Sequence, residues 1–318
     1  RLGPRHRPVP VGRGPGRRQT FGLPYSRTVA HAVTDDDREP RQVELVDDPG
    51  PRSWRKAFDD LGRGWKQRAL WGYLGWQDIK QRYRRSVLGP LWISISMAVI
   101  AVAMGILYGA LFGEDLATFL PYVATGLLIW NFVQGSIIEG SEVFIANEGL
   151  IRFLPAPLSL HVYRLVWRQT LFFLHNLIVW LVLVIIFPQP IGWTLLLAIP
   201  AFALLMINGA WIAIVSGILA TRFRDIPPII ASLTQLLFFM TPIVWQYDRL
   251  LSMPAVAERA RIAEINPVLH FVEIMRQPML GQPIAWHHWV VVGVITVVGC
   301  LTALVALRNY RSRVAYWV

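Results

Sequence analysis

Six long apolar runs constrain this 318-residue chain more than any other feature. They lie at about residues 90–112, 119–140, 165–187, 193–220, 228–246 and 286–307. Each is near or above the ~20 residues that an α-helix needs to cross a bilayer. Helices satisfy their own backbone polar groups in lipid. The predicted fold class is therefore an all-α integral membrane protein with about six transmembrane helices.

The composition supports a membrane protein and excludes several other classes. The chain is 54% hydrophobic and only 16% charged, whereas an average soluble domain is about 25% charged. So few charges cannot cover a globular surface, which argues against a soluble enzyme. The single cysteine, Cys300, excludes an internal disulfide and a cysteine-based metal cluster. A shorter apolar stretch at residues 266–281, interrupted by Glu273 and Arg276, predicts short outer half-helices or a re-entrant element between spans five and six.

Most of the basic excess lies immediately before the first apolar run. Residues 51–89 carry ten Lys or Arg against three acids, a net of +7 out of +11 for the chain. Residues 65–87 have the pattern of a basic, aromatic-bearing amphipathic helix, which is typical of a membrane interface. Residues 1–50, rich in Arg, Pro and Gly, predict a disordered cytoplasmic tail. The predicted domains are thus a tail (1–50), an interface segment (51–89) and a transmembrane domain (90–318).

The short connections predict the orientation in the membrane. The 113–118 connection contains two acids and no Lys or Arg, whereas the 141–164 loop, the 221–227 loop and the C-terminal tail all contain arginines. Basic residues concentrate in cytoplasmic loops, so both termini are predicted to be cytoplasmic. The same rule explains the basic excess without nucleic-acid binding.

Several kinds of active site are missing from the sequence. None of the three lysines follows a glycine, so the chain has no P-loop to hydrolyse ATP. Mid-membrane carboxylates, which ion-coupled carriers use, are also missing. His287 and His288 are adjacent, and adjacent residues on a helix face different ways, so they predict an interface anchor rather than a metal site. We expect no catalytic residue, no metal site and no cofactor in this chain.

Four strings occur in the order found in one known family. They are the stretch from Asp78 to Trp92 before the first span, Arg222-Phe223-Arg224-Asp225-Ile226 between spans four and five, Thr241-Pro242-Ile243, and Asn266-Pro267-Val268. From about residue 60 to the C-terminus the chain resembles the transmembrane permeases of ABC-2 type polysaccharide exporters. That family exports O-antigen, teichoic acid and galactan. The Arg/Pro-rich head departs from its pattern.

The resemblance implies a homodimer in the bacterial inner membrane, paired with two copies of a separate P-loop ATPase that binds ATP and Mg. A lipid-linked polysaccharide would cross between the two permease subunits. The residues expected to couple to the ATPase are Asn147, Glu148, Gly149 and Arg152. The interface helix is expected to flank the cytoplasmic entrance through Trp76, Lys80, Arg82, Tyr83, Arg84 and Arg85. The cytoplasmic loop motif is Arg222, Arg224 and Asp225, and the alternative role for these residues is a local ion pair that orients the loop.

Aromatic side chains stack on sugar rings, so the candidate channel-lining residues are Tyr108, Trp130, Trp245 and Tyr247. Arginine outnumbers lysine 28 to 3, a bias typical of a GC-rich genome, which favours a cell-wall galactan over another O-antigen-like polymer. Two alternatives stay open. One is an ABC-2 exporter of lipids or drugs. The other is a membrane-embedded glycosyl- or acyltransferase, for which Glu139, Glu142 and Asp225 are the candidate catalytic groups.

Overall fold

A computed structural model describes residues 52–89, 91–153, 156–254 and 257–318; the predicted tail at 1–50 lies outside these ranges. The described residues are helical and contain no strand. The α-helices, in chain order, are α1 Trp54–Lys66, α2 Arg68–Arg82, α3 Leu91–Phe112, α4 Leu116–Ser141, α5 Glu148–Phe153, α6 Leu158–Ile186, α7 Ala198–Arg222, α8 Ile226–Met240, α9 Tyr247–Leu251, α10 Ala257–Ala260, α11 Pro267–Met279 and α12 Trp286–Trp317. Short 3₁₀ turns at Ile145–Asn147, Trp193–Leu197 and Arg261–Ile265 connect some of them.

Five of these helices are long and apolar enough to cross a membrane: α3, α4, α6, α7 with its preceding 3₁₀ turn, and α12. The prediction of an all-α membrane protein is confirmed. The predicted fifth span is the exception, because α8 has only 15 residues. At 1.5 Å per residue it is about 22 Å long, shorter than the ~30 Å hydrocarbon layer. Its helical conformation ends at Thr241, which is extended, because the residue before a proline is driven out of the α region.

The helix α4 is the centre of the bundle. It packs against α3, α6, α7, α8 and α11, and 67% of its most apolar stretch is buried, against 22% for α3. Small residues bring α4 and α7 together: a Cβ on Gly140 of α4 would lie 3.0 Å from the Cβ of Ala213 on α7. Close approach through small residues is how membrane helices associate without a hydrophobic driving force. The apolar side chains that α3 leaves exposed form a surface suited to lipid.

Contacts sort the helix ends into two groups. The C-terminal ends of α4, α7 and α12 and the N-terminal end of α6 lie together with α1, α2 and α5. We call this the basic end. At the opposite end, Arg249 pairs with Glu114, and Gly281 lies against the backbone of Pro190. The acidic and uncharged connections thus share the opposite end, while the cytoplasmic location of the basic end stays a prediction.

The interface segment differs in detail from the single helix predicted over residues 65–87. Two helices, α1 and α2, are separated at Gln67, and the second ends at Arg82. Both pack against α6. They bury small residues there: Gly64 lies against Ser159, and Gly75 lies against Trp167. The chain bends because the two helices contact successive turns of the same long helix.

Candidate functional site

A network of four charged residues joins three helices at the basic end. Arg164 donates through Nε and Nη2 to the two carboxylate oxygens of Asp78, at 2.9 and 2.5 Å. Arg168 donates to Asp78 Oδ2 at 2.9 Å and to Glu139 Oε2 at 2.6 Å. We call Asp78, Glu139, Arg164 and Arg168 the charged network. It ties α2, α6 and α4 together.

The geometry of the network keeps Asp78 ionised. Burial by itself would raise the pKa of Asp78, but the hydrogen bonds and positive charges of Arg164 and Arg168 outweigh burial and hold that pKa below 3.8. The Asp78–Arg164 contact is bidentate, the geometry in which an arginine binds a carboxylate most strongly. Asp78 is therefore a fixed negative charge between two arginines one helical turn apart.

A second carboxylate fixes the start of α6. Asp60, which is buried, accepts hydrogen bonds from the backbone amides of Leu158 at 3.2 Å and Ser159 at 3.0 Å. The Ser159 hydroxyl donates back to the Asp60 carbonyl oxygen at 2.7 Å. The first amides of a helix have no partner within the helix, and a negative charge there is favourable. Asp60 and Asp78 therefore hold α1 and α2 on α6 and set the position of Arg164 and Arg168.

The charged network lines a cavity of about 450 Å³ that is open at the basic end. Arg82, Glu142, Asn147 and His161 also line it. Neither ring nitrogen of His161 has a hydrogen-bond partner among the described residues, although the side chain is buried. The arrangement can hold a polar group, but Arg164 and Arg168 are already neutralised by Asp78 and Glu139.

The structure places the predicted coupling residues on a short, solvent-facing segment between α4 and α6. Asn147 donates to the carbonyl oxygen of Val143 at 2.7 Å and accepts from Arg164 Nη1 at 3.3 Å. This second bond connects the segment to the charged network. Glu148 and Arg152 form an ion pair of 2.9 Å within α5, and Arg152 also contacts the carbonyl oxygen of Val318.

The most exposed side chain of this segment is apolar. Phe153, the last residue of α5, is 84% exposed, and Leu150 is exposed as well. Gly149 lies on the same open surface, with no atom within 4 Å of the position of a Cβ. We call Asn147, Glu148, Gly149, Leu150, Arg152 and Phe153 the coupling surface.

The two arginines of the 222–226 loop contact the last helix, α12, rather than the neighbouring Asp225. The Arg222 guanidinium lies 5.4 Å from the centroid of the Trp317 ring, and Arg224 Nη2 donates to the Trp317 carbonyl oxygen at 3.4 Å. In the described part of the chain neither arginine pairs with Asp225, which precedes α8 without capping it through its side chain. The loop therefore holds the end of α12 against α7.

The predicted interface-helix residues are split between α2 and the turn that follows it. Lys80 Nζ lies 6.0 Å from the Trp76 ring centroid, and the Arg82 guanidinium lies 5.5 Å from that of Phe172 on α6. Tyr83 is half-buried, and Arg84 and Arg85 are exposed. Their position at the basic end, beside α3, suits contact with lipid headgroups, which stays a prediction.

The four candidate channel aromatics lie in different surroundings. Tyr108 stacks on Phe112 with 5.9 Å between centroids. Trp130 is buried in the core, 5.4 Å from Phe238. Near the opposite end, the carbonyl oxygen of Trp245 accepts a hydrogen bond from the Tyr122 hydroxyl, and Tyr247 donates to Glu264 at 2.6 Å. Their role in lining a channel stays a prediction.

Sequence reasoning missed two parts of the site: Asp60 and Arg164. The four-residue spacing of Arg164 and Arg168 was the available signal, because such residues lie on one face of a helix. Their partner Asp78 is 86 residues from Arg164, so no local pattern joins them. Two quoted motifs do meet in space: the Asn266 amide donates to the Thr241 hydroxyl at 2.8 Å.

Five membrane-length apolar helices and a basic end with a helical interface segment define a multi-pass α-helical membrane protein. The profile of the ABC-2 type transporter family matches residues 69–280. The chain belongs to that family.

Curated relatives agree with this assignment. The chain is 22% identical over 238 residues to an O-antigen export system permease protein RfbA of Klebsiella pneumoniae, covering 74% of this chain and 88% of that protein. A second Klebsiella pneumoniae protein of the same name is 24% identical over 54% of this chain and 67% of its own length. The Myxococcus xanthus protein of that name is 25% identical, over 61% of this chain and 73% of its own length.

Proposed function

We propose that this chain is the permease subunit of an ATP-driven exporter that moves a lipid-linked polysaccharide from the cytoplasm to the outer face of the inner membrane. Three relatives named as O-antigen export permeases support a polysaccharide substrate. The arginine bias favours a cell-wall galactan as the polymer. The permease acts as a homodimer with two copies of a separate ATPase, which binds ATP and Mg.

The coupling surface is the observation that carries this proposal. Phe153 and Leu150 expose apolar area on one short helix, at the end where arginines concentrate, and this area suits contact with a protein partner. Asn147 joins this surface to Arg164, and Arg164 is bonded to α2 through Asp78. Movement of an ATPase bound to α5 is therefore transmitted to α6 and α2 together.

Replacing Phe153 with alanine is expected to weaken binding of the ATPase. Loss of an aromatic anchor at an interface costs about 2 kcal/mol, which is a roughly 30-fold loss of affinity. The measurement is the amount of ATPase that co-purifies with the permease in mild detergent.

Glu148→Ala and Arg152→Ala are expected to lower the ATPase activity of the complex, because they remove the ion pair that stiffens α5.

Trp193→Ala is the matched control. Trp193 is 88% exposed and lies at the opposite end, so its loss is expected to leave the co-purified ATPase unchanged. Equal recovery of ATPase with Phe153→Ala and the wild type would exclude the coupling surface as the binding site. A wild-type permease that brings down no ATPase would argue against the exporter itself.

Depletion of the protein distinguishes the substrate classes. Accumulation of lipid-linked glycan inside the cell is expected for a polysaccharide exporter. An unchanged glycan pool would favour the export of lipids or drugs, and product formation by the purified chain alone would favour a transferase.

A further inference from the structure

Three histidine rings meet at the opposite end of the bundle from the charged network. His270 lies in the second turn of α11, and His287 and His288 lie in the first turn of α12. The sequence shows the adjacent pair but not the third ring, which comes from an element 17 residues earlier. We call these residues the histidine cluster.

The ring nitrogens are close enough to share one ion. Each residue offers a nitrogen that lies within 4.8 Å of those of the other two. The Nδ1 atoms of His270 and His288 are 2.7 Å apart. Two lone pairs at that distance repel each other unless a proton lies between them, and a metal ion accepts both lone pairs with modest ring movement.

The surroundings of His270 prepare it as a ligand. Its Nε2 lies 3.0 Å from the carbonyl oxygen of Glu264. A carbonyl only accepts, so Nε2 carries the hydrogen and Nδ1 keeps a lone pair, which points into the cluster. Histidines that bind metals commonly donate their second ring N–H to a carbonyl or carboxylate in this way, which fixes the tautomer and the ring orientation.

The cluster is accessible, and a carboxylate lies beside it in the same cavity. His287 is exposed and His270 is buried, so an ion can enter from solvent and be held at depth. His287 and His288 line a cavity of about 310 Å³ together with Glu264 and Glu273. Glu264 favours a cation there without having to bind it directly, whereas Glu273 is already paired with Arg276 at 3.2 Å.

We propose that the histidine cluster binds a divalent transition-metal ion, Zn²⁺ in the first instance. Imidazole nitrogens suit Zn²⁺ among the divalent ions, and three histidines leave a fourth tetrahedral position for water or another ligand. The ion would hold α11 to α12 across the 280–285 turn. This site is independent of the proposed transport function.

The test is zinc binding by the full chain, purified in mild detergent with an affinity tag that contains no histidine and stripped of metal by a chelator. Titration with ZnCl₂ against a chromophoric chelator is expected to show one ion per chain. X-ray absorption is expected to show nitrogen ligands at about 2.0–2.1 Å from the metal. Failure of the wild type to bind zinc saturably at concentrations up to about 100 μM would overturn the proposal.

Variants then locate the ion. His287→Ala and His288→Ala are each expected to lower the affinity at least about tenfold, since even loss of a ligand's supporting partner costs that much. His287 is exposed, so this variant is expected to fold normally. His175→Ala is the control, because His175 is partly buried in α6 and its Nδ1 faces its own helix, 2.7 Å from the Leu171 carbonyl oxygen. Undiminished binding in both cluster variants, or an equal loss in the control, would place the ion elsewhere and refute the site.

Discussion

Replacing Asp78 with asparagine is expected to lower the free energy of unfolding by about 3 kcal/mol, because breaking a largely buried ion pair leaves its partners uncompensated. Arg164 and Arg168 would then keep one carboxylate between them, that of Glu139. The measurement is unfolding in mild detergent on titration with a denaturing detergent, followed by tryptophan fluorescence.

Asp59→Asn is the matched control for this prediction. Asp59 pairs with Arg63 at 3.0 Å on the exposed face of α1, and both side chains are more than half exposed. An exposed pair one helical turn apart contributes about 0.3–0.5 kcal/mol, so this change is expected to have little effect. Similar losses from both substitutions would mean that the charged network is no stronger than a surface pair.

The contribution of Asp78 is expected to depend on pH. Since the pKa of Asp78 is held below its ordinary value of 3.8 in the folded protein, its stabilisation is fully present above 3.8. It is lost as the pH falls through the lowered native value. The wild type and Asp78→Asn are therefore expected to differ at neutral pH and to converge in acid. A constant difference down to the lowest pH at which the protein stays folded would contradict this account.

Gly281→Ala is expected to destabilise the protein by about 3 kcal/mol or more, for two reasons that add. Gly281 has φ +71°, where a side chain costs about 1–2 kcal/mol. Its added Cβ would also overlap the carbonyl group of Pro190, which forces backbone movement and costs about 1–3 kcal/mol more. The same unfolding titration measures the loss.

Gly113→Ala separates the cost of the backbone conformation from the cost of the steric overlap. Gly113 has φ +65° but no atom within 4 Å of the position of a Cβ. Its substitution is expected to cost only the conformational part, about 1–2 kcal/mol. If the two variants were equally destabilised, the contact between Gly281 and the 188–192 connection would contribute nothing.

Hydropathy predicted the apolar middle of each span well and the helix ends poorly. The first span, predicted at 90–112, is Leu91–Phe112. The third was predicted to begin at residue 165, yet α6 begins at Leu158. Its first turns carry His161 and Arg164, which belong to the helix but not to the apolar layer. Likewise α12 extends ten residues beyond the predicted 307 into its arginine-rich end.

The site was less predictable than the fold because its contacts join distant parts of the chain. Positive charge before the first span was visible in the sequence, but the pairing of Asp78 with Arg164 was not. The histidine cluster shows the same limit. The expectation that His287 and His288 face different ways was wrong, because their ring centroids lie 4.0 Å apart, and the packing of α11 on α12 adds His270 to the pair.

The attachment of α1 and α2 to α6 has a consequence for biosynthesis. The backbone amides that donate to the Asp60 carboxylate lie 98 and 99 residues later in the chain. At about 5–20 residues per second of translation, that interval lasts roughly 5–20 s. During it the ribosome has already released the N-terminal helices, while the third span is still being made. The nascent chain must keep these charged helices at the membrane surface until α6 is inserted, so assembly of the basic end is a late, post-insertion step.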